Sequence, residues 1–238
     1  MLELLDATKT YVQGRRTVNA VRGVTLAIRT GEFVTIMGPS GSGKSTLMHL
    51  MGALDTPTGG RAVFHGQDLQ SLSDRQRSLL RRDRIGFVFQ AFNLLPNLKA
   101  AENVALPLLL GGASRSSAIA RANECLDKVN MGHRADHFPD EMSGGEMQRV
   151  AIARALVIEP EAVLCDEPTG NLDSANSAAI LELLRGLPEP GRRSVVMVTH
   201  DAQAAAYGDR IVHIKDGLID AEEMVRGRQT HALSVRHA

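Results

Sequence analysis

A five-residue apolar run, Phe33-Val34-Thr35-Ile36-Met37, leads into Gly38-Pro39-Ser40-Gly41-Ser42-Gly43-Lys44-Ser45, and residues 45–51 then continue with helical character. The middle stretch fits G-x-x-x-x-G-K-[ST], a phosphate-binding loop. Buried strand, glycine-rich loop and helix in direct succession tie this segment to an α/β layer architecture. The glycines let the backbone wrap closely, so that consecutive N–H groups converge on one anion. The helix N-terminus adds positive potential at the same place. Lys44 is placed to reach the β- and γ-phosphates, and the Ser45 hydroxyl to ligate Mg²⁺. The chain is therefore expected to bind a nucleoside triphosphate.

Around this unit the pattern alternates. Residues 2–9 and 24–28 read as strands of a leading β region, and 61–64 as a short strand. A helix is predicted over residues 44–54, another over 71–84 with Ser73 as its cap, and a strand over 85–89. From residue 100 to about 138 the pattern is helical with a break at Gly111-Gly112, which predicts a helical insertion. A helix after Ser143, a strand at 162–165, a helix at 174–184 and strands at 194–198 and 210–215 follow. Such alternation predicts a mostly parallel sheet. Residues 1–225 are expected to form one domain, with 1–90 and 160–225 as the nucleotide-binding core and 91–159 as a helical subdomain. Residues 226–238 are polar and aperiodic, and a flexible tail is expected there.

Lys+Arg and Asp+Glu both number 27 in 238 residues, a formal net charge of +0. That gives no overall pull toward nucleic acid or an anionic membrane. The 2 cysteines, Cys125 and Cys165, lie far apart, which argues against a disulfide framework or a zinc module. No apolar stretch reaches the length of a membrane span, and the acidic N-terminus lacks a signal-peptide pattern, so any membrane role is expected to need a partner chain. The basic run 75–84 carries no interleaved aromatic residue and is read as a solvated face. His133 and His137 stand one helical turn apart without supporting Cys or carboxylate and are not taken as metal ligands.

Two further segments carry chemistry. Ala162-Val163-Leu164-Cys165-Asp166-Glu167 is an apolar strand ending in two carboxylates. Beside a phosphate loop, Asp166 fits a Mg²⁺-holding residue and Glu167 a base that orients or deprotonates an attacking water. Standing alone, the pair would be an acidic turn before Pro168. Ser143-Gly144-Gly145-Glu146 precedes a helical run. It matches a capping box, and its glycines make it a second anion site at a helix start. Both readings can hold together. Two phosphate-directed sites distant in sequence are explained if two copies face each other head to tail. Of the 8 histidines, His200 is the one assigned a function, because Val198-Thr199-His200-Asp201 puts it just past a buried strand at the sheet edge.

These motifs, in this order, resemble the ATP-binding subunit of an ABC transporter, over residues 2 to about 221. The matching positions are Tyr11, 38–46, Gln90, 142–148, 163–167, Asn171-Leu172-Asp173 and His200. The resemblance implies a P-loop ATPase fold with a leading antiparallel β region and a helical subdomain carrying the signature turn, acting on ATP with Mg²⁺. By the same resemblance Tyr11 would stack on adenine, and Gly38, Pro39, Ser40, Gly41, Ser42, Gly43, Lys44, Ser45 and Thr46 would hold the phosphates. Ser143, Gly144, Gly145 and Glu146 would meet the nucleotide of a second copy, and Asp173 would bridge the two subunits. Gln90 would reach the Mg²⁺ and the attacking water, and His200 would contact the γ-phosphate. The usual signature Leu-Ser-Gly-Gly-Gln is here Met142-Ser143-Gly144-Gly145-Glu146. If Glu146 points at the phosphates it weakens the closed dimer; if it folds back as a capping residue little changes.

Ala101-Glu102-Asn103-Val104-Ala105-Leu106-Pro107, the segment 134–139 and Glu167-Pro168-Thr169-Gly170-Asn171-Leu172-Asp173 narrow the likeness to the group of macrolide exporters, lipoprotein-release ATPases and the cell-division ATPase. A homodimer is then expected to drive a separate membrane subunit, docked near residues 90–107, from the cytoplasmic face of the inner membrane. A non-transporting regulator of cell-division type is the alternative. A soluble nucleic-acid-associated ABC ATPase ranks below both, since its added modules are missing.

Overall fold

The protein, described by a computed structural model over residues 1–14 and 16–225, has two sheets. The expected tail, residues 226–238, lies outside the described residues. One sheet is antiparallel, with β1 (Leu2–Gln13) between β2 (Arg16–Ile28) and β4 (Gly59–Phe64), and the short β5 (Gln67–Asp68) beyond. The other runs from β10 (Leu218–Met224) through β9 (Arg210–Lys215), β3 (Phe33–Met37), β8 (Ser194–Thr199) and β7 (Ala162–Asp166) to β6 (Ile85–Phe89). All its pairings are parallel except β10 with β9.

The parallel strands are apolar on both faces, as a sheet covered on both sides requires. Alternate residues sort into two cores. Val34, Ile36, Leu164, Val196 and Val198 pack with Leu47 and Leu50 of α1 (Lys44–Met51) and with Leu4 and Phe64 of the antiparallel sheet. Phe33, Val163, Cys165, Val195 and Met197 pack with the helices α3 (Ala100–Leu110), α4 (Arg115–Lys128) and α5 (Gly144–Leu156), through Val104, Leu126 and Ile152. Each such buried side chain contributes about 1.5–3 kcal/mol. α2 (Asp74–Arg84), α6 (Ser174–Arg185) and the single turn α7 (Ala202–Ala205) complete the helices of the described residues.

The mostly parallel sheet, the leading β region and the helical insertion between β6 and β7 match expectation, and β3, β6 and β9 have the predicted bounds. Other boundaries differ; β1 runs on to Gln13 and β4 starts at Gly59. α1 stops at Met51 rather than at residue 54, because Gly52 caps it and Ala53 takes a left-handed φ of 53°. Residues 69–71 form a separate 3-10 turn, and α2 begins at Asp74 behind a full Ser73–Gln76 capping box. The strand 24–28 is the end of a long β2 that begins at Arg16.

Candidate active site

The chain reverses from β3 into α1 through Gly43, whose φ of 102° is left-handed. A Cβ there would lie 2.3 Å from the carbonyl oxygen of Ala20, so only glycine fits. No side chain caps α1. The loop is laced from both sides: Gly217 N–H donates to the Ser42 carbonyl at 3.0 Å, and Arg22 N–H donates to the Gly217 carbonyl at 2.9 Å. Lys44 is 6% exposed, and its ammonium donates to the carbonyls of Gly38 and Pro39, both at 2.9 Å. Ser40, Gly41, Gly43, Lys44, Ser45 and Thr46 line a cleft of 680 Å³ together with Glu167. Val18, Asn19, Ala20 and Arg22 of β2, with Asp216 and Gly217 of the β9–β10 turn, form its remaining wall. The sequence reading missed those six. No motif marks them, and the turn at 216–217 reaches the loop only because β9 pairs with β3.

At the end of β7 the predicted residues converge. The Ser45 hydroxyl donates to Asp166 Oδ1 at 3.2 Å. Burial pushes the Asp166 carboxyl above its usual range, against the opposing effect of the Ser45 hydrogen bond. Glu167 sits at a left-handed φ of 44°, with its N–H on the Val198 carbonyl at 3.0 Å. That strained backbone aims its carboxylate at His200, whose Nδ1 lies 2.6 Å from Oε2.

Tyr11 donates its phenol proton to Asp55 Oδ2 at 2.9 Å. Asp55 Oδ1 accepts from Lys9 Nζ at 2.5 Å and from Thr56 N–H at 2.7 Å. Burial disfavours the Asp55 anion, but these hydrogen bonds outweigh it and hold the carboxyl below its ordinary value. Burial, then Asp55, raise the Tyr11 phenol.

The signature turn is elsewhere. Glu146 N–H donates to Ser143 Oγ at 3.3 Å, and Ser143 N–H donates to Glu146 Oε2 at 2.8 Å. Arg134 Nε donates to Glu146 Oε1 at 2.9 Å. Glu146 therefore folds back on the start of α5. The Ser143 amide lowers its carboxyl first, and Arg134 adds to this. Gly145 is buried against Asn176, which is itself held by Asp173 through bonds of 2.9 and 2.6 Å. Gln90 and Asn171 bond each other at 3.2 and 3.0 Å. Buried Gln148 donates to the Pro168 carbonyl at 2.8 Å, tying α5 to the loop that follows Glu167. Neither the signature residues nor Gln90, Asp173 or Tyr11 line the cleft of the phosphate loop.

The run 75–84 is largely solvent-exposed, with Leu80 as its one buried residue, but several of its arginines also hold the helix in place. Arg77 donates to the carbonyl of Leu72, Arg81 to that of Ala53, and Arg84 pairs with Glu161, so three of its arginines fasten α2 to the core. No helix of the described residues is long and apolar enough to cross a membrane.

Comparison with known proteins places this geometry. The model of the family described as ABC transporter matches residues 21–170. The chain is 48% identical over 231 residues to an ABC transporter ATP-binding protein of Methanocaldococcus jannaschii, MJ0796, covering 95% of this chain and 98% of that protein. A solved dimer of the MJ0796 cassette, in a post-hydrolysis state bound to ADP and Pi, superposes with a TM-score of 0.87 at 46% identity, over 96% of this chain and all of the other. The lipoprotein-releasing system ATP-binding protein LolD of Geobacter metallireducens is 46% identical, over 93% of this chain and 99% of that one. The macrolide export ATP-binding/permease protein MacB of Syntrophobacter fumaroxidans is 47% identical over 93% of this chain, which spans 31% of that protein.

Proposed function

The chain belongs to the ABC transporter family as an ATP-binding, ATP-hydrolysing subunit, and from that premise we propose that two copies close head to tail on two ATP molecules and so drive a membrane partner. The observation that carries this reading is that the chain has two glycine-flanked helix starts, at α1 and α5, and only the first opens into its own cleft. In the proposed dimer each ATP lies between the loop 38–46 of one copy and Ser143-Gly144-Gly145 of the other.

Within one site, the amides of 41–46 and the Lys44 ammonium neutralise the β- and γ-phosphate oxygens. Ser45 and Asp166 are hard oxygen donors 3.2 Å apart, one of them a half-buried carboxyl that among the described residues has no cationic hydrogen-bond partner. That donor set fits Mg²⁺, which when bound supplies charge neutralisation on the phosphate oxygens. Gln90 is positioned at the same edge by Asn171. Glu167 takes a proton from water as its oxygen attacks the γ-phosphorus; the bond to the β-phosphate oxygen breaks, giving ADP and phosphate. His200 holds the Glu167 carboxylate and reaches the γ-phosphate. The base stacks on Tyr11, whose orientation Asp55 fixes. Asp173 faces the second subunit.

For the membrane partner, the names of the relatives support lipoprotein release or macrolide export as the class of work, from the cytoplasmic face of the membrane. Residues 90–107 are the proposed contact. Leu95 is 45% exposed there, while Asn103, fully buried, bonds the N–H and carbonyl of Leu95 and the carbonyl of Leu98, so the exposed loop is rigidly backed. The test is the mass of the Glu167→Gln protein by light scattering with ATP and Mg²⁺. A shift from monomer to dimer is expected. A persistent monomer, with normal wild-type hydrolysis, would overturn the sandwich.

A further inference from the structure

Closing on a triphosphate sets an electrostatic problem at the start of α5. A helix N-terminus offers about half a positive charge. Glu146, in the first turn of that helix, carries a full negative one, enough to reverse the sign of the end that must meet an anion. Arg134 lies within hydrogen-bond distance of that carboxylate, its Nε 2.9 Å from Oε1, while Oε2 is held by the Ser143 N–H at 2.8 Å. The arginine does not hang from a loose loop. It ends a 3-10 turn, Gly132–Arg134, and Ala135 and His137 just after it accept the amides of Ala101 and Ala100 at 3.0 and 2.9 Å. Among the described residues its two terminal nitrogens make no other hydrogen bond, so the guanidinium serves Glu146 alone.

Resting on the head-to-tail reading, we propose that Arg134 is the positioning residue of the signature turn: it cancels the Glu146 charge and pins the carboxylate back on Ser143. The turn then presents a net positive end to the triphosphate on the second copy. The sum decides the matter. Helix end plus Glu146 is about half a charge negative, and with Arg134 it is about half a charge positive again. An ion pair with side chains 32% and 24% exposed contributes little to folding, so its effect is expected on closure rather than on thermal stability.

The experiment uses the full chain carrying Glu167→Gln, with ATP and Mg²⁺, and reads the dimer dissociation constant by analytical ultracentrifugation at low and high salt. Arg134→Gln is expected to weaken the dimer about tenfold relative to the parent at low salt, because a negative charge then faces an anion. The deficit is expected to shrink at high salt, where charges at the surface are screened. Arg134→Gln combined with Glu146→Gln is expected to return to the parent constant within about threefold, and Arg134→Lys to keep it, since the charge survives. A dimer unchanged by Arg134→Gln, or a double variant as weak as the single one, overturns the proposal. If Arg134→Gln fails to fold, Arg134→Lys decides: a tenfold loss with the charge retained refutes charge cancellation. A parent that stays monomeric at every salt sinks the sandwich and this proposal with it, whereas a parent that dimerises isolates the failure to Arg134.

Discussion

α1 and α5 both start from glycine-bearing turns on an α/β core, and they are finished in opposite ways. The α1 end has no side-chain cap; its glycine backbone is held open by β2 and by the 216–217 turn, and its one cation is buried among carbonyls of the same loop. The α5 end is closed by its own side chains, Ser143 taking one amide and Glu146 another. The first is completed by fold geometry and opens into a cleft. The second is a self-satisfied surface knob, stable without a ligand and able to meet one only from outside. A helix end that needs an anion and one that tolerates an anion are thus told apart by what already occupies their amides.

Breaking the α1 side is expected to cost most. Lys44→Ala removes the only buried ammonium facing the cleft among the described residues, and kcat/KM for ATP is expected to fall by roughly 10²–10³-fold; near-normal turnover would show that the two ends are equivalent after all. Gly43→Ala forces a Cβ into the Ala20 carbonyl at a left-handed φ. A loss of about 1–3 kcal/mol is expected in denaturant unfolding, and a neutral result would mean that β2 yields. On the α5 side, Ser143→Ala deletes a cap and is expected to cost about 1 kcal/mol, read as a lower midpoint, with nucleotide binding by the isolated subunit unchanged. Lost binding in the monomer would place both ends on one nucleotide.

Asp166→Asn sharpens the contrast from another direction. Burial raises the Asp166 pKa in the fold, so the ionised form is disfavoured there. The stability linked to this group is complete at low pH and is lost as pH rises through the elevated pKa. The neutral isostere is therefore expected to raise the Tm of the nucleotide-free protein at neutral pH, by at most about 2–4 °C, while abolishing hydrolysis. A lower Tm would mean that the carboxylate is structural.

The placement of the loop 38–46, of Asp166–Glu167 and of His200 at strand ends was legible because each follows a short apolar strand. Glu146 was not. Its residue type fits both a phosphate-facing group and a capping box, and only the hydrogen bonds from Ser143 and Arg134 choose the second. The Tyr11–Asp55–Lys9 cluster escaped notice since its members lie 44 and 46 residues apart across β1 and the end of α1. The anchoring contacts of the α2 arginines were not legible because a one-dimensional charge run does not show that carbonyls of neighbouring turns lie within reach of their long side chains.

The lacing of the loop has a metrical consequence. Tyr11 and Ala20 belong to one pair of strands, Ala20 bars any shift of Gly43, and Gly217 bolts Ser42 to the central sheet. In the proposed site the span between the Tyr11 ring and Lys44 is therefore a gauge, set by strand pairing and the hydrogen-bonded turn at 216–217. If the proposed site holds a nucleotide at both ends, that span would select for length: a triphosphate would bring its last phosphorus to Glu167 and His200, and a diphosphate would leave those two residues facing only each other.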